Sequence, residues 1–528
     1  MSKGAERLLE VLAAHGVEVV FGLPGVHNLA IWEALRKHPG IRMIGVRHEQ
    51  TAVYAADGYA RATGRLGVAV VTTGPGAANT LGATGEAWAS GSPVLVIATD
   101  IPSTLRQPGV YRGVLHETRD QKAMFGPVTK AAFDVPAAGE LAAFTDKAVQ
   151  QAVRSPHGPV YLGVPTDFLS AEVAGHAPAK VPQTHVVPDL SEAEALIDRA
   201  ERPLIWVGGG AARSGAGVAV GALAARLQAP VVTTYGARGL VDSPWVVRGP
   251  VHAPPVGKLW DDADLVIAIG TDFDGMMTQN WLQPKPRNLV AVNIDKAEAN
   301  KNYPADVTIE GDAAAVTAAL ATGVAGKDAA VDVEAVNAEV RALAEADSSE
   351  AVQLLRALEG TDATIVADMC IPGYWIGGFH HVTKPRGLAY PVGWGTLGFG
   401  FPAALGAAVA GRTIAVVGDG GFLFACGDLA TLKQEGLPLT IVLVDDGGYG
   451  MLRYDQQVAN HAISGVDLTR PDFAKLAESF GIPAITLDGF DGLRDALASA
   501  AGPGMIVVNA GLKPPINTSP RWYRKTAT

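Results

Sequence analysis

What most constrains the fold of this chain is the alternation of short, uniformly apolar runs with segments of helical period. Val17–Phe21, Ile41–Val46, Gly67–Thr72 and Val94–Thr99 are apolar, apart from Glu18 and Arg42, without the every-other-residue polarity of a half-exposed strand. Helical patterns are expected between them, near 28–36, from about 51 to 63, and starting near Ala77. Strands apolar on both faces must be covered on both, which a parallel sheet flanked by helices achieves. The pattern restarts at Pro203-Leu-Ile-Trp-Val, with strands expected at Leu265–Ile269 and Leu289–Ile294, and fades near Gly323. It restarts again with Thr364–Ala367, Thr413–Val417, Thr440–Val444 and Met505–Val508. The aperiodic Pro/Ala/Val stretch 171–188 reads as a linker, and the passage from Ala/Gly-rich to Asp/Glu-rich sequence over 322–348 as a second boundary. The expected fold class is therefore α/β, with three consecutive doubly wound parallel-sheet domains over 1–180, 185–325 and 345–528. A chain of 528 residues suits about three cores, and no short-period repeat suggests a solenoid.

Charge and cysteine content narrow the function classes. The net charge of −11, with no basic run to offset it, argues against a nucleic-acid partner. Cys370 and Cys426 are the only cysteines, so neither a disulfide framework nor a cysteine-based zinc site is expected, and a reducing cytoplasm fits. The first residues lead into an amphipathic helix (Leu8, Leu9, Val11, Leu12) with no signal-peptide pattern. Apolar runs elsewhere are broken by Gly, Pro or charge, so no membrane span is expected.

Two strand ends carry chemistry. Val416-Val-Gly-Asp-Gly-Gly-Phe and Leu443-Val-Asp-Asp-Gly-Gly-Tyr-Gly each close an apolar strand, where open α/β sheets bind ligands. Asp446 follows Asp419 by 27 positions, enough for a helix to return the chain to an adjacent strand. Two carboxylates there, with glycines exposing carbonyl oxygens, suit a hard cation such as Mg²⁺. A helix starting just after Gly420 would turn its amides toward a phosphate. Taken alone, Gly-Asp-Gly is also an ordinary turn. The second signal is Arg47-His-Glu-Gln at the end of Ile41–Val46, followed by Thr72-Thr-Gly-Pro-Gly-Ala-Ala-Asn. A largely buried Glu49 could have a raised pKa suited to proton transfer, or could simply be an acid favoured at a helix N-terminus.

Together these motifs resemble the thiamine-diphosphate enzymes that include acetolactate synthase, benzoylformate decarboxylase and other 2-oxo acid decarboxylases and carboligases. The resemblance runs through Phe21-Gly-Leu-Pro-Gly, His48-Glu49, Gly58-Tyr-Ala-Arg, Gly74-Pro-Gly-Ala-Ala-Asn, Gly158-Pro-Val-Tyr-Leu-Gly-Val-Pro, Gly395-Thr-Leu-Gly-Phe-Gly-Phe-Pro and Gly418-Asp-Gly, in the family's order. It implies a pyrimidine-binding first domain, a central domain and a diphosphate-binding third domain. Glu49 would then activate the aminopyrimidine, Leu397 would lie under the bend of the cofactor, and the backbone of Gly395 and Leu397 would hold the pyrimidine edge. Asp419, Asp446 and the Gly448 carbonyl would take Mg²⁺. Gly25, Gly74, Asn79, Gly418, Gly420, Gly421 and Tyr449 would complete the cofactor cradle. The resemblance also implies a homodimer or homotetramer with active sites at the subunit interface. One departure is Asp445-Asp446 where the family usually has Asn-Asn, which adds negative charge beside a diphosphate and bears on the choice of metal. Gly208-Gly-Gly-Ala-Ala-Arg-Ser-Gly resembles a loop at which some relatives bind FAD, but a lone Gly-rich loop is weak evidence and the reading without FAD is preferred.

The expected substrate is a 2-oxo acid. Val26-His27 stand where the family lines its substrate pocket, and His116 stands where some decarboxylases carry a histidine and acetolactate synthases a glutamine. A histidine there can supply the proton that replaces departing CO₂, favouring aldehyde release, or can be a polar interface residue. Leu452 occupies the place of an acidic group in pyruvate decarboxylases, and His380-His381 read as exposed loop residues outside the chemistry. Three readings follow: a decarboxylase with some carboligase activity, an acetolactate-synthase-type carboligase, and a non-catalytic cofactor-binding regulator suggested only by Asp445-Asp446.

Overall fold

The computed structural model describes residues 2–107, 109–178, 186–500 and 502–515. Its strands, in chain order, are β1 (Ser2–Lys3), β2 (Val19–Gly22), β3 (Arg42–Gly45), β4 (Gly67–Val71), β5 (Val94–Asp100), β6 (Ala131–Asp134), β7 (Val160–Pro165), β8 (Glu172–Val173), β9 (Pro203–Val207), β10 (Val231–Thr233), β11 (Leu265–Ile269), β12 (Leu289–Asn293), β13 (Val307–Glu310), β14 (Thr364–Ala367), β15 (Leu388–Ala389), β16 (Thr413–Gly418), β17 (Leu439–Asp445), β18 (Ala484–Asp488) and β19 (Gly504–Asn509). Three parallel sheets result, ordered β3-β2-β4-β5-β7-β6, β10-β9-β11-β12-β13 and β15-β14-β16-β17-β19-β18. The uniformly apolar strands are the central ones: β4, β5 and β7 are buried throughout, and so is β17 apart from its last residue, Asp445. Helices on both faces supply the cover that such strands need.

The first and third sheets repeat one topology. In each, the second strand lies on one side of the first and the third strand on the other, so the order reverses between β2 and β4 and again between β14 and β16. These are the switch points at which the carboxyl ends of strands open a crevice. The two domains are fused through the helix Glu49–Thr63 of the first and the helix Gly400–Ala410 of the third. A Cβ at Gly58 would collide with the Ala403 backbone, and one at Gly406 with the Ala55 backbone. Only glycine lets the helices approach so closely, and their register, 58 opposite 403 and 55 opposite 406, makes them antiparallel.

Local departures from the sequence reading are small and have identifiable causes. Glu172–Val173, inside the expected linker, pairs antiparallel with Ser2–Lys3, because backbone groups brought beside the first residues can satisfy each other there. Residues 179–185 of that linker lie outside the described residues. Gly420 is not followed by a long helix: Asp419–Phe422 is a single turn, and the next α-helix, Leu429–Glu435, starts after a 3-10 turn at Cys426–Asp428. His380 is no exposed loop residue. It caps the helix Ile371–Phe379 while buried, with burial pushing its pKa down to about 4.

Candidate active site

The first half-site lies at the carboxyl ends of β2 and β4. The loop after β2 is stapled by Asn28, whose buried side chain accepts the Gly25 amide at 2.8 Å and donates to the Leu23 carbonyl at 3.0 Å. Gly25 packs on Thr72 so tightly that a Cβ would sit 2.5 Å from the threonine side chain. Gly74, at φ +63°, has its amide held by Gln121 at 2.7 Å and lies against the His116 carbonyl, so a side chain fits neither the backbone angle nor the space. Glu49 opens its helix and is buried; its Oε2 accepts from Asn79 Nδ2 at 3.0 Å. The other carboxylate oxygen faces Gly76, where a Cβ would lie 3.4 Å away.

His27 and His116 join this half-site. Their ring centroids are 5.3 Å apart, and each has a buried Nδ1 without a hydrogen-bond partner. His116 holds φ at 67°, a left-handed backbone that non-glycine residues adopt rarely and often at functional positions. Burial, then the neighbouring His116, lowers the His27 pKa.

The second half-site occupies the corresponding ends of β14, β16 and β17. Asp419 is buried, and neither of its carboxylate oxygens has a protein partner; Asp446 Oδ1 is in the same condition. Burial and then the charge of Asp446 raise the Asp419 pKa, the expected response of two close carboxylates shielded from water. Buried oxygens without donors are costly unless something cationic reaches them, so the donor set fits a hard cation completed by carbonyl and ligand oxygens. The Gly448 carbonyl would lie 3.3 Å from a Cβ on Gly420, and the Tyr449 ring 2.8 Å from it. Gly421 faces Leu397 and Asp368, at 3.3 and 2.5 Å from its notional Cβ, and Gly418 lies beside Cys370. Gly395, at φ +69°, opens the loop that carries Leu397.

The extra carboxylate of Asp445 is compensated. Arg470 pairs with it through Nη1, and the Gly447 amide donates to it at 3.3 Å. Arg453 ties the same loop down by donating to the Asp446 carbonyl at 3.2 Å and to Asp467 at 2.7 Å.

Sequence reasoning passed over three buried carboxylates that hold these loops. Asp368 ends the apolar run Thr364–Ala367 and accepts the amides of Met369, Gly398 and Phe399 at 2.8 to 3.1 Å. Burial pushes its pKa up to about 6 although those amides oppose the shift. Asp428, of the third domain, reaches the first domain on either side of Glu49, accepting the Arg47 amide at 2.8 Å and the Thr51 hydroxyl at 2.6 Å. Glu86, of the first domain, accepts the Thr396 hydroxyl at 3.0 Å. Asp368 could have been found as another acid closing an apolar strand. Asp428 and Glu86 sit inside helical patterns and carry no such mark.

Within one chain Glu49 and the loop that carries Leu397 do not meet. The antiparallel register places Glu49 at one end of the helix pair and Leu397 at the other, roughly 20 Å apart at 1.5 Å per residue.

Residues 2–124 match the N-terminal thiamine-pyrophosphate-binding domain of thiamine pyrophosphate enzymes, 190–320 their central domain and 370–510 their C-terminal thiamine-pyrophosphate-binding domain. The chain is 34% identical over 519 residues to a probable 2-ketoarginine decarboxylase of Pseudomonas aeruginosa, covering 94% of this chain and 91% of that one. It is 31% identical over 537 residues to a probable acetolactate synthase large subunit of Methanocaldococcus jannaschii, covering 94% and 90%. An acetolactate synthase of Mycobacterium bovis is 32% identical over 539 residues, covering 94% and 85%. With all three domains matched in order and the two half-sites at the switch points of its first and third sheets, this chain belongs to the family of thiamine pyrophosphate enzymes.

Proposed function

We propose that the chain is a 2-oxo acid decarboxylase with some carboligase activity, its active site built from the first half-site of one subunit and the second half-site of another. The observation that carries decarboxylation is the His27–His116 pair beside Gly74, two rings with buried, unpartnered Nδ1 atoms at the substrate side of the first half-site. The similarity to a probable 2-ketoarginine decarboxylase supports the same reading. Acetolactate-synthase-type carboligation is the second reading, supported by the similarity to those synthases.

Thiamine diphosphate, when bound, supplies a nucleophilic carbon and an electron sink for the bond next to the carbonyl. Glu49 would hold the proton exchanged with the aminopyrimidine. Asn79 occupies Oε2, so Oε1, facing Gly76, is the oxygen free to give and take that proton. Leu397 would offer an apolar support beside Gly421, and the backbone of Gly395 and Leu397 the pyrimidine contacts. Asp419, Asp446 and the Gly448 carbonyl would hold Mg²⁺ against the diphosphate, in the cradle of Gly418, Gly420, Gly421 and Tyr449. His116, supported by His27, would deliver the proton that replaces CO₂.

The Gly208–Gly210 loop gives no separate argument for FAD. A Cβ at Gly210 would lie 2.8 Å from the Gly270 carbonyl, and one at Gly208 would collide with it, so close packing of two strand ends accounts for these glycines. Both cysteines are free, which supports a reducing, cytoplasmic setting, and among the described residues no helix is long and apolar enough to cross a membrane. The test is product analysis with a panel of 2-oxo acids, 2-ketoarginine and pyruvate included, with and without an aldehyde acceptor. Aldehyde and CO₂ as main products support the proposal, whereas acetohydroxy acids from paired 2-oxo acids would replace it with the second reading.

A further inference from the structure

We infer that Glu86 is a positioning residue for the Gly395–Leu397 loop, so that the first domain of each chain sets the cofactor affinity of that chain's own third domain. The inference rests on the proposed role of that loop in holding thiamine diphosphate. Glu86 is fully buried on the helix Leu81–Ala89. Its Oε1 accepts from Arg61 Nη2 and Ser90 Oγ, each at 3.1 Å, and its Oε2 from Thr396 Oγ1 at 3.0 Å. Arg61 already has a full partner in Asp57, which takes two of its donors at 2.9 and 2.7 Å. Neutralising the arginine therefore does not require a second carboxylate, and burying one is costly unless its remaining oxygen is used. That oxygen goes to the loop.

The loop has little else to define its shape. Residues 391–399 form no helix or strand, and both Gly395 and Gly398 have positive φ. At the far end Asp368 takes the amides of Gly398 and Phe399. At the near end the first domain does the fixing. Arg61 donates to the Tyr390 carbonyl at 3.0 Å and lies 4.7 Å over the Phe399 ring. The Thr396 amide also donates to Glu86 Oε2 at 3.5 Å, and Trp394 packs against Gly85, where no side chain would fit. Thr396, between Gly395 and Leu397, is thus the one side chain through which Glu86 reaches the residues proposed to touch the cofactor.

Thr396→Val removes that hydroxyl at nearly constant volume and leaves the buried Arg61 pairs intact, while Thr396→Ser keeps the hydroxyl. Apo-protein would be titrated with thiamine diphosphate and Mg²⁺ by tryptophan fluorescence, alongside the KM for the 2-oxo acid and the apo thermal midpoint. We expect Thr396→Val to weaken cofactor binding about tenfold, the worth of a hydrogen bond to a charged group, with the 2-oxo acid KM nearly unchanged and the apo midpoint lowered, because the buried Glu86 carboxylate loses a donor. Thr396→Ser should bind within about twofold of the wild type, and Glu86→Gln, which keeps the shape and can donate to Thr396, should fall between them. Equal weakening in the Val and Ser variants, or wild-type affinity in Thr396→Val, would overturn the inference. Failure of the wild type itself to bind thiamine diphosphate would overturn the cofactor reading beneath it.

Discussion

The first and third sheets share one strand order and differ in what stands at the same strand ends. In the first, Glu49 follows β3, held by a neutral amide with two histidines alongside, while Asp100, the acid that ends β5, is paired with Arg106. The third puts acids at three strand ends: Asp368, satisfied by backbone amides, and Asp419 and Asp446, with oxygens left bare. One arrangement suits moving a proton, the other suits holding a cation and the anion it bridges. The topology supplies two equivalent crevices, and side chains at a few strand ends decide what each is for.

The largest expected effect tests the proton-moving half. Glu49→Gln keeps shape and the Asn79 contact but cannot exchange a proton, so turnover should fall by about three decades or more while cofactor affinity stays close to wild type. Comparable losses of both would erase the contrast. For the cation half the signs reverse: Asp419→Ala should weaken binding of thiamine diphosphate with Mg²⁺ by about a hundredfold or more. Asp446→Asn should keep a working site with altered metal dependence. Identical responses to every cation tested would remove Asp446 from the ligand set. A smaller effect separates the two reaction readings. His116→Gln should lower the aldehyde-to-hydroxyketone ratio at equal conversion when a 2-oxo acid and an aldehyde are supplied together, and an unchanged ratio would return His116 to a structural role.

The smallest expected effect lies outside both half-sites and serves as their control. His157 and His380 are held neutral, mainly by burial, with pKa values lowered to about 4. The unfolded chain binds those protons from near pH 6.5 downward while the folded chain does not. Stability should therefore be complete above pH 6.5, decline as the pH falls toward 4, and level off in this contribution below that. His380→Gln should flatten part of the decline in thermal midpoint and leave cofactor affinity at neutral pH alone. A pH profile identical to wild type would contradict the neutral, buried state of His380.

How legible all this was in the sequence depends on the reach of each interaction. The apolar runs named β4, β5, β11 and β16 almost to the residue, because burial on both faces leaves a local mark. Glycines that read as motif letters turned out to have separate physical reasons: Gly74 a positive φ, Gly58 a close contact with the facing helix. Glu49, Asp419 and Asp446 stood out because an acid at the end of an apolar strand is conspicuous. Asp428 and Glu86 did not, since their partners lie 377 and 310 positions away and nothing local marks them. His380 misled for the opposite reason, its Gly-rich surroundings reading as a loop although the domains pack over it. The compensation of Asp445 by Arg470 was hidden in the same way, 25 positions downstream.

The central claim is that each active site joins the first half-site of one chain to the second half-site of another, and mixed subunits test it most directly. Glu49→Gln and Asp419→Ala would be unfolded or dissociated together, reassembled and assayed at thiamine diphosphate and Mg²⁺ concentrations that saturate the wild type but leave the Asp419→Ala sites nearly empty, so that each variant alone is nearly inactive. In a mixed pair the Asp419→Ala chain contributes an intact Glu49 and the Glu49→Gln chain an intact Asp419, giving one complete site. Random pairing of equal amounts should restore about a quarter of wild-type activity, since half of the pairs are mixed and each has one of two sites whole. Activity that stays at the level of the separate variants, when the same procedure restores the wild type, would show that both halves must come from one chain and would contradict the account.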